Sequence, residues 1–443
     1  MILPSEMLKE IVDDIISIER SNSVLISLHL RNPNDASFAI DDANITTFTV
    51  EQNTISNVFD NIVLTCDIQP IQFQELITKQ SDLYADVTIE YADRQTNAPI
   101  LEEDPIVLRY KVFLHDMSSL LKRFGVNAFE KKEDSSLPTG VEDSTLIPIS
   151  MQLILEVDHK INRGSFVGVI QDTNVSNAIR YVASVIGVPS IKMTEPDNPA
   201  TFQHFNVPPE NSGFRVVFDY IHKKYGVYAN GFRYYLTNGT LYVYPPFKLD
   251  NTETPKLIIY RVSENSYAGS TNYHELDDAG NIQIVSNSKL TSKNLSNVGS
   301  ENDGNTKVFI RSDGMIDGQV SKGKKLQLTN VTASMASKSD SAISSNAAVP
   351  KYVQPTNNVY EHGSKFSEMN GEIMTLGWAN ARMGLLYPSM PVSFVFDEKN
   401  KVMEKTGLLE SITYSFVRAN RHLFNCSVGL IIRVDHNQEE YDS

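Results

Sequence analysis

The stretch Tyr387-Pro-Ser-Met-Pro-Val-Ser-Phe-Val-Phe-Asp-Glu-Lys-Asn-Lys401, continued by Thr406-Gly-Leu-Leu-Glu-Ser-Ile-Thr-Tyr-Ser-Phe416 and Leu423-Phe-Asn-Cys-Ser-Val-Gly-Leu-Ile-Ile-Arg-Val434, decides the fold class. Three apolar runs alternate with polar residues at a period of two, and polar turns separate them, as in half-buried strands that follow one another in a meander. Phe394 and Phe396 share one face of the first run. Leu409 to Phe416 forms the second around Ile412 and Tyr414, and Phe424, Cys426, Val428 and Leu430 alternate in the third. The pattern predicts a meander closing a small β-barrel. No cluster of catalytic side chains lies along it, which points to assembly before chemistry.

Working outward, a chain of 443 residues is too long for one compact core, and two to four domains are expected. Apolar residues make up 41% and charged residues 21%, ordinary values for a globular protein, and no apolar run approaches the roughly 20 residues that span a bilayer. No integral membrane contact is expected. The first residues lack the basic flank and cleavage site of a secretory signal. They read instead as an amphipathic helix, with Ser5 as N-cap and Leu8, Ile11, Val12, Ile15 and Ile16 on one face. The net charge of −15 argues against holding nucleic acid by its phosphates, which requires clustered Lys and Arg. It suits a conduit past which DNA slides without sticking.

From Val24 to Asp116 strand follows strand: Val24 to Leu30, Ile45 to Val50, Asn61 to Ile68, Asp86 to Tyr91 and Ile106 to Leu114. Short strands at this spacing favour a barrel or sandwich, giving an N-terminal β-barrel domain with a leading helix over 1–118. A polar run, Glu130-Lys-Lys-Glu-Asp-Ser-Ser136, marks the boundary to a mixed α+β middle domain over 119–262. That domain opens with a strand in which Ile149, Met151, Leu153, Leu155 and Val157 alternate. A helix follows over Asn174 to Ile186, with Val175, Ala178, Ile179, Val182, Val185 and Ile186 inward and Gly187 past its end. Phe214, Val217, Phe218 and Ile221 write a second helix, and Phe232 to Leu236 with Leu241 to Tyr244 form a hairpin about Asn238-Gly239. Over 263–352 the chain turns polar, with β-like islands at Val308 to Ile310 and Leu326 to Leu328, and reads as an insertion with little core. The last domain, 353–443, combines a helix over Ser367 to Met383, carrying Ile373, Met374, Trp378 and Met383, with the closing meander.

Chemistry is sought and not found. There is no phosphate-binding Gly-rich loop, zinc-protease helix, nucleophile elbow, calcium loop or Cys-x-x-Cys pair. Cys66 and Cys426 sit in separate apolar runs and read as buried thiols. His159, His204, His222, His274 and His422 have no partner at metal-ligand spacing, and a Cys426 thiolate paired with His422 or His436 lacks an oxyanion hole. Asp13 and Asp14, Glu102 to Asp104, and Glu439 with Glu440 read as solvated acids rather than a glycosidase pair, and Lys322-Gly-Lys-Lys325 reads as a solvated turn. Seven tyrosines between Tyr220 and Tyr244 read as a half-wet sheet face or subunit contact before a sugar platform. Catalytic, cofactor-binding and metal sites are each expected to be none, with no cofactor.

The carboxyl-terminal runs, together with Gly377-Trp-Ala-Asn-Ala-Arg-Met383 before them, resemble the closing strands and preceding helix of tailed-phage baseplate hub proteins. In the middle, Val175-Ser-Asn-Ala-Ile-Arg-Tyr181, Phe218-Asp-Tyr-Ile221, Tyr225-Gly-Val-Tyr-Ala-Asn-Gly231 and Tyr242-Val-Tyr-Pro245 are similar to the same family; the 263–352 segment departs from it. The resemblance implies a homotrimer at the end of the tail tube, each subunit giving two tube-like barrels so that three chains match a sixfold ring. It implies contacts with tail tube, central spike, tape measure and other baseplate proteins, DNA only as passing cargo, and residence in the virion after synthesis in the bacterial cytoplasm. The alternatives are a hub of a related contractile injection system, a tail-associated peptidoglycan hydrolase housed in 263–352, and a glycan-binding adhesin using Tyr242.

Overall fold

A computed structural model describes residues 22–32, 35–40, 44–69, 83–93, 104–114, 146–229, 231–246, 257–261, 273–276, 280–286, 291–294, 306–310, 315–320, 331–332, 372–379, 381–398, 401–418 and 423–434, with Val12, Asp13, Ile15, Gln72 and Tyr360. The fold is α+β and β-rich. Seven strands come first: β1 (Asn22–Asn32), β2 (Asp35–Ile40), β3 (Ile45–Asn53), β4 (Asn61–Ile68), β5 (Tyr84–Asp93), β6 (Ile106–Leu114) and β7 (Ile147–Leu155). Their alternation fixes their faces. In β4, Ile62, Leu64, Cys66 and Ile68 point inward while the residues between them are only half covered, as the two-residue strand period requires.

The middle of the chain supplies α1 (Glu156–Asn162), β8 (Gly168–Asn174), α2 (Val175–Ile186), β9 (Ser190–Met193), β10 (Thr201–Val207), α3 (Phe214–Tyr225), β11 (Arg233–Thr237) and β12 (Thr240–Tyr244). Asn174 caps α2 by accepting the Asn177 N–H at 2.8 Å, and Gly187 ends it at φ 96°, the left-handed position that a residue without Cβ adopts freely. Val175, Ala178, Ile179, Val182, Ala183 and Ile186 face a second core with Phe214, Val217, Phe218 and Ile221 of α3. Val185, expected on the same stripe, is exposed. At 100° per residue it lies about 90° from the stripe's centre, where Ala183 holds the opposite margin. β11 and β12 pair from Arg233↔Tyr244 to Thr237↔Thr240, and Asn238 (φ 47°) with Gly239 (φ 71°) makes the expected tight turn.

The remaining strands are β13 (Leu257–Arg261), β14 (Tyr273–Leu276), β15 (Ile282–Ser286), β16 (Thr291–Asn294), β17 (Thr306–Ile310), β18 (Met315–Val320), β19 (Val331–Thr332), β20 (Glu372–Ala379), β21 (Pro391–Glu398), β22 (Lys401–Arg418) and β23 (Phe424–Val434). One edge of β22 pairs with β23 from Gly407↔Val434 to Arg418↔Phe424. Its other edge is divided. The first half pairs with β21, from Pro391↔Leu408 to Glu398↔Lys401, and the second with β3, from Ser411↔Asn53 to Val417↔Thr47. Beyond β3 the neighbours are β4, β7, β6, β5 and β1, and β1 meets β23 at Val24↔Phe424. The path that leaves the β22–β23 hairpin through β3 therefore comes back to it through β1. Beyond β21 the parallel neighbours are β13 and β15, while the far edge of β23 pairs with β20. The Ser286 hydroxyl of β15 donates to the Gly377 carbonyl of β20 at 3.3 Å. One core joins Phe48, Leu64, Val87 and Leu153 to Ile259, Ile284, Phe394, Tyr414 and Phe424.

Several expectations need correction. The helix over Ser367 to Met383 is absent over 372–379, which is strand β20. Met374 and Trp378 are four residues apart, in phase for a helix and a strand alike, whereas buried Leu376 between them with half-covered Ile373, Thr375 and Gly377 fits only the strand period. The strand read through Val157 stops at Leu155, where α1 begins; moreover, β7 lies between β4 and β6 in the large sheet rather than with the middle helices. The second run of the meander begins at Lys401, not Leu409, and passes through Gly407 unbroken. Within 263–352, β14 and β15 join the large sheet and Ile282, Ile284 and Val285 are buried, so this part carries core; the island at Val308 to Ile310 is β17, and Leu326 to Leu328 lies outside the described residues. β2 was not anticipated. Of the leading helix, Val12, Asp13 and Ile15 are helical, with Val12 and Ile15 buried and Asp13 exposed; the rest, with the run 130–136, lies outside the described residues.

Replacing Gly239 with valine should lower stability by about 1 to 3 kcal/mol, because a β-branched residue resists positive φ and its Cβ would sit 3.1 Å from Pro189 and 3.3 Å from Val157. Chemical denaturation checks this; an unchanged midpoint would contradict the turn.

Candidate functional site

Gln52, Thr54, Asp60, Asp158, Glu410 and Arg433, all buried, gather at two places, both at junctions between strand sets. The first is the point where β22 changes partner. Gly407 opens it, since a Cβ there would stand 2.2 Å from the Arg433 carbonyl oxygen, and only a bare backbone lets β22 and β23 approach so closely. Glu410 is the extra residue of a bulge, the register shifting between Leu409 and Ser411. Its carbonyl accepts both the backbone N–H of Thr54 at 3.0 Å and the Thr54 hydroxyl at 2.8 Å. Its carboxylate, fully buried, accepts from Arg433 Nε at 2.6 Å. On the β21 side, Leu409 exchanges backbone hydrogen bonds of 3.0 Å with Ser389 and Met390. Removing one partner of such a buried ion pair typically costs about 3 to 5 kcal/mol, because the other charge is then stranded.

The second junction holds the middle elements to the large sheet. Leu236 donates to the Val58 carbonyl at 2.9 Å, Phe59 bridges to Leu236, and the Arg215 guanidinium lies 4.7 Å from the Phe59 ring centre. Beneath them Asp60 accepts from the Tyr235 hydroxyl at 3.0 Å, the Thr237 hydroxyl at 2.9 Å and the Gln52 amide at 3.3 Å. Asp158 of α1 accepts from the Gly239 and Asn238 N–H groups at 2.8 and 3.2 Å, so a residue from one helix fastens the β11–β12 turn. Burial, aided by the Asp158 charge and opposed by its hydrogen bonds, pushes the Asp60 carboxyl up to about 7. Burial pushes Asp158 up to about 6 against its two backbone donors.

The residues weighed from the sequence do not converge. Cys66 and Cys426 are free and buried, and burial pushes both thiols up to about 12, which suppresses the nucleophilic thiolate. His222 stacks on Phe232 with ring centres 4.7 Å apart and accepts the Val227 N–H at 3.3 Å, a core histidine. His159 packs edge-on to Phe113, and burial with nearby Arg163 and Lys111 lowers its pKa. His204 is exposed. The side chain of His274, and His422, His436, Asp14, Glu102, Glu103, Glu439, Glu440 and Lys322 to Lys325, lie outside the described residues. Tyr228, Tyr234, Tyr235, Tyr242 and Tyr244 are buried, so these five are interior packing rather than the expected half-wet sheet face or an exposed sugar platform. Among the described residues no group of His, Cys, Asp and Glu is arranged to hold a metal, and no helix is long and apolar enough to cross a membrane. A shallow depression over Thr375, Gly377, Thr413, Gly429 and Ile431 carries no titratable side chain.

Sequence reasoning missed Asp60, Asp158, Glu410 and Arg433. Glu410 had a signal, an acid inside the apolar run Leu408 to Phe416 with a basic residue, Arg433, inside the facing run. Asp60 and Asp158 had none, because what matters is a contact across distant elements.

Residues 110–299 match the family model described as "Bacteriophage PBS1 gene 109 protein". The match spans β7, the helices and the β11–β12 hairpin, and it bears out the tailed-phage resemblance read from the sequence. No curated protein sequence matches the chain. Among solved structures, a tail protein from Neisseria meningitidis MC58 is 10% identical, over 92% of this chain and 96% of that one, at a TM-score of 0.46. The prophage MuSo2 43 kDa tail protein from Shewanella oneidensis is 11% identical, over 92% and 98%, at 0.44. An E. coli type VI secretion component described as similar to T4 tail proteins is 7% identical, over 91% and 76%, at 0.38.

Both raised carboxyls keep their proton to a higher pH folded than unfolded, so the folded state binds more protons between about pH 4 and 7. Stability is then greatest below the unfolded value and falls as pH rises through that window. Thermal melts from pH 5 to 8 should show this loss, and Asp60→Asn should remove roughly 2 to 4 kcal/mol of the pH dependence. An identical pH profile for the variant would contradict it.

Proposed function

We propose that this chain is a structural protein of a bacteriophage tail, the baseplate hub that joins the tail tube to the central spike. The phage family match over 110–299 supports the tail assignment, and the observation that carries the hub reading is the divided edge of β22. In this reading the second half of β22 with β3, β4, β7, β6, β5, β1 and β23 forms one tube-like barrel. Its first half with β21, β13, β15, β20 and β23 forms another. A hairpin common to both fixes the angle between them, as a ring-forming subunit needs. The helices and the β11–β12 hairpin make a middle body pinned at Phe59 and Asp60.

Three copies would then present six barrels to a sixfold tube, grip the spike below, and surround a channel where the tape measure ends and DNA passes. The acidic balance of 54 Asp and Glu against 39 Lys and Arg keeps such a wall from binding the passing phosphates. The role is mechanical rather than enzymatic, and the protein resides in the virion among other baseplate proteins. Electron microscopy of the purified chain tests the reading. A threefold ring with a central channel is expected, and a stable monomer at micromolar concentration would overturn it.

A further inference from the structure

The outer face of β1, β5, β6 and α1 has a charge balance opposite to that of the chain. Arg31 Nε and Arg109 Nε both reach Asp86, at 3.2 and 3.0 Å. The same two guanidinium groups lie 3.8 and 4.0 Å from Glu156, which also takes Lys160 Nζ at 2.9 Å. Arg163, one residue past α1, is exposed beside them. With Lys111 over the Tyr84 ring and Glu90 in line with Asp86 on β5, five cations thus meet three carboxylates on this face, and Arg109 and Lys160 remain largely open to solvent at 58% and 72% side-chain exposure. The ion pairs hold the guanidinium planes in place, so a partner recruits groups already ordered.

The same face carries exposed apolar side chains. Val107 and Phe113, in line with Arg109 on β6, are 62% and 38% exposed. Arginine and aromatic groups with apolar neighbours are the composition of a protein contact, and the carboxylates shared among the cations disfavour a phosphate backbone. A carboxylate-rich protein surface is the complement. This chain supplies one, since its net charge is −15, and removing the local excess of two positive charges leaves the rest more acidic still.

We infer that the Arg31–Arg109–Lys160–Arg163 face is the docking surface for an acidic face of a second copy of this chain. A basic face repels its own image, so this contact joins two different surfaces. Used once between each pair of neighbours, such a contact runs head-to-tail and closes into a ring of three or more, whereas a twofold dimer would use it twice about its axis. The inference rests on the self-assembly in the hub reading and supplies the face that the hub reading lacks.

Sedimentation of the full chain at 50 and 500 mM NaCl, as wild type, as Arg109→Glu with Lys160→Glu, and as Arg163→Glu alone, tests it. Wild type should assemble beyond a dimer at 50 mM and weaken at 500 mM. The double variant should lose at least tenfold in association with an unchanged circular dichroism spectrum, and the single variant should lose less in the same direction. Assembly of both variants equal to wild type overturns the face and leaves the hub reading standing. A wild type that stays monomeric at both salts overturns the two together, and a dimer as end product overturns the head-to-tail contact. If a double-stranded DNA oligonucleotide binds wild type but not the double variant while assembly is unaffected, the face is a nucleic-acid surface and the inference is wrong.

Discussion

A strand has two hydrogen-bonding edges, and β22 is long enough to spend one of them on two different partners. Its 18 residues span about 60 Å at the usual rise, and the β23 ladder holds the other edge from Gly407 onward while the first partner, β21, gives way to β3. The change of partner needs local accommodation. Gly407 lets β23 come close, the bulge at Glu410 inserts one residue, and Thr54 at the end of β3 takes up the Glu410 carbonyl. The buried Glu410–Arg433 pair then fixes the register of β22 against β23 at the crossing. A pair of this kind adds little net stability over apolar residues of similar volume, but a slip of one residue would strand both charges. Its contribution is to specify one alignment.

The middle elements attach by the same logic at a smaller scale. Asp158 satisfies the two N–H groups of the Asn238-Gly239 turn, and Asp60 collects donors from β3 and β11. Each carboxyl is buried where its charged form is disfavoured, so both hold a proton to a higher pH than a free carboxyl does, Asp60 further than Asp158. That is tolerable because each retains hydrogen-bond partners in either form. It also makes the contact between middle body and sheet responsive to pH.

Most strands were legible because one face is buried and the other wet, so burial imprints a period of two: Ile62, Leu64, Cys66 and Ile68 show it, as do Phe424, Cys426, Val428 and Leu430. The α2 helix was legible from both ends, through Asn174 and Gly187. β20 was misread because Met374 and Trp378 satisfy two periods at once, and α1 because the alternation of β7 runs on into Val157. The closing of the strand order on β22 and β23 was not legible, since no local pattern records which edge meets which. For the same reason the site residues Asp60 and Asp158 gave no sign of convergence. Their chemistry exists only in contacts between segments far apart in sequence.

If the divided edge of β22 is what unites the two strand sets, they unfold as one unit. Hydrogen exchange measured by mass spectrometry on wild type and Arg433→Met tests this directly. The slowest amides of β3 and β4 and those of β13 and β21 should share one opening free energy, and the substitution should lower both by the same amount. Loss of protection confined to β13 and β21, with β3 and β4 unchanged, would contradict the account.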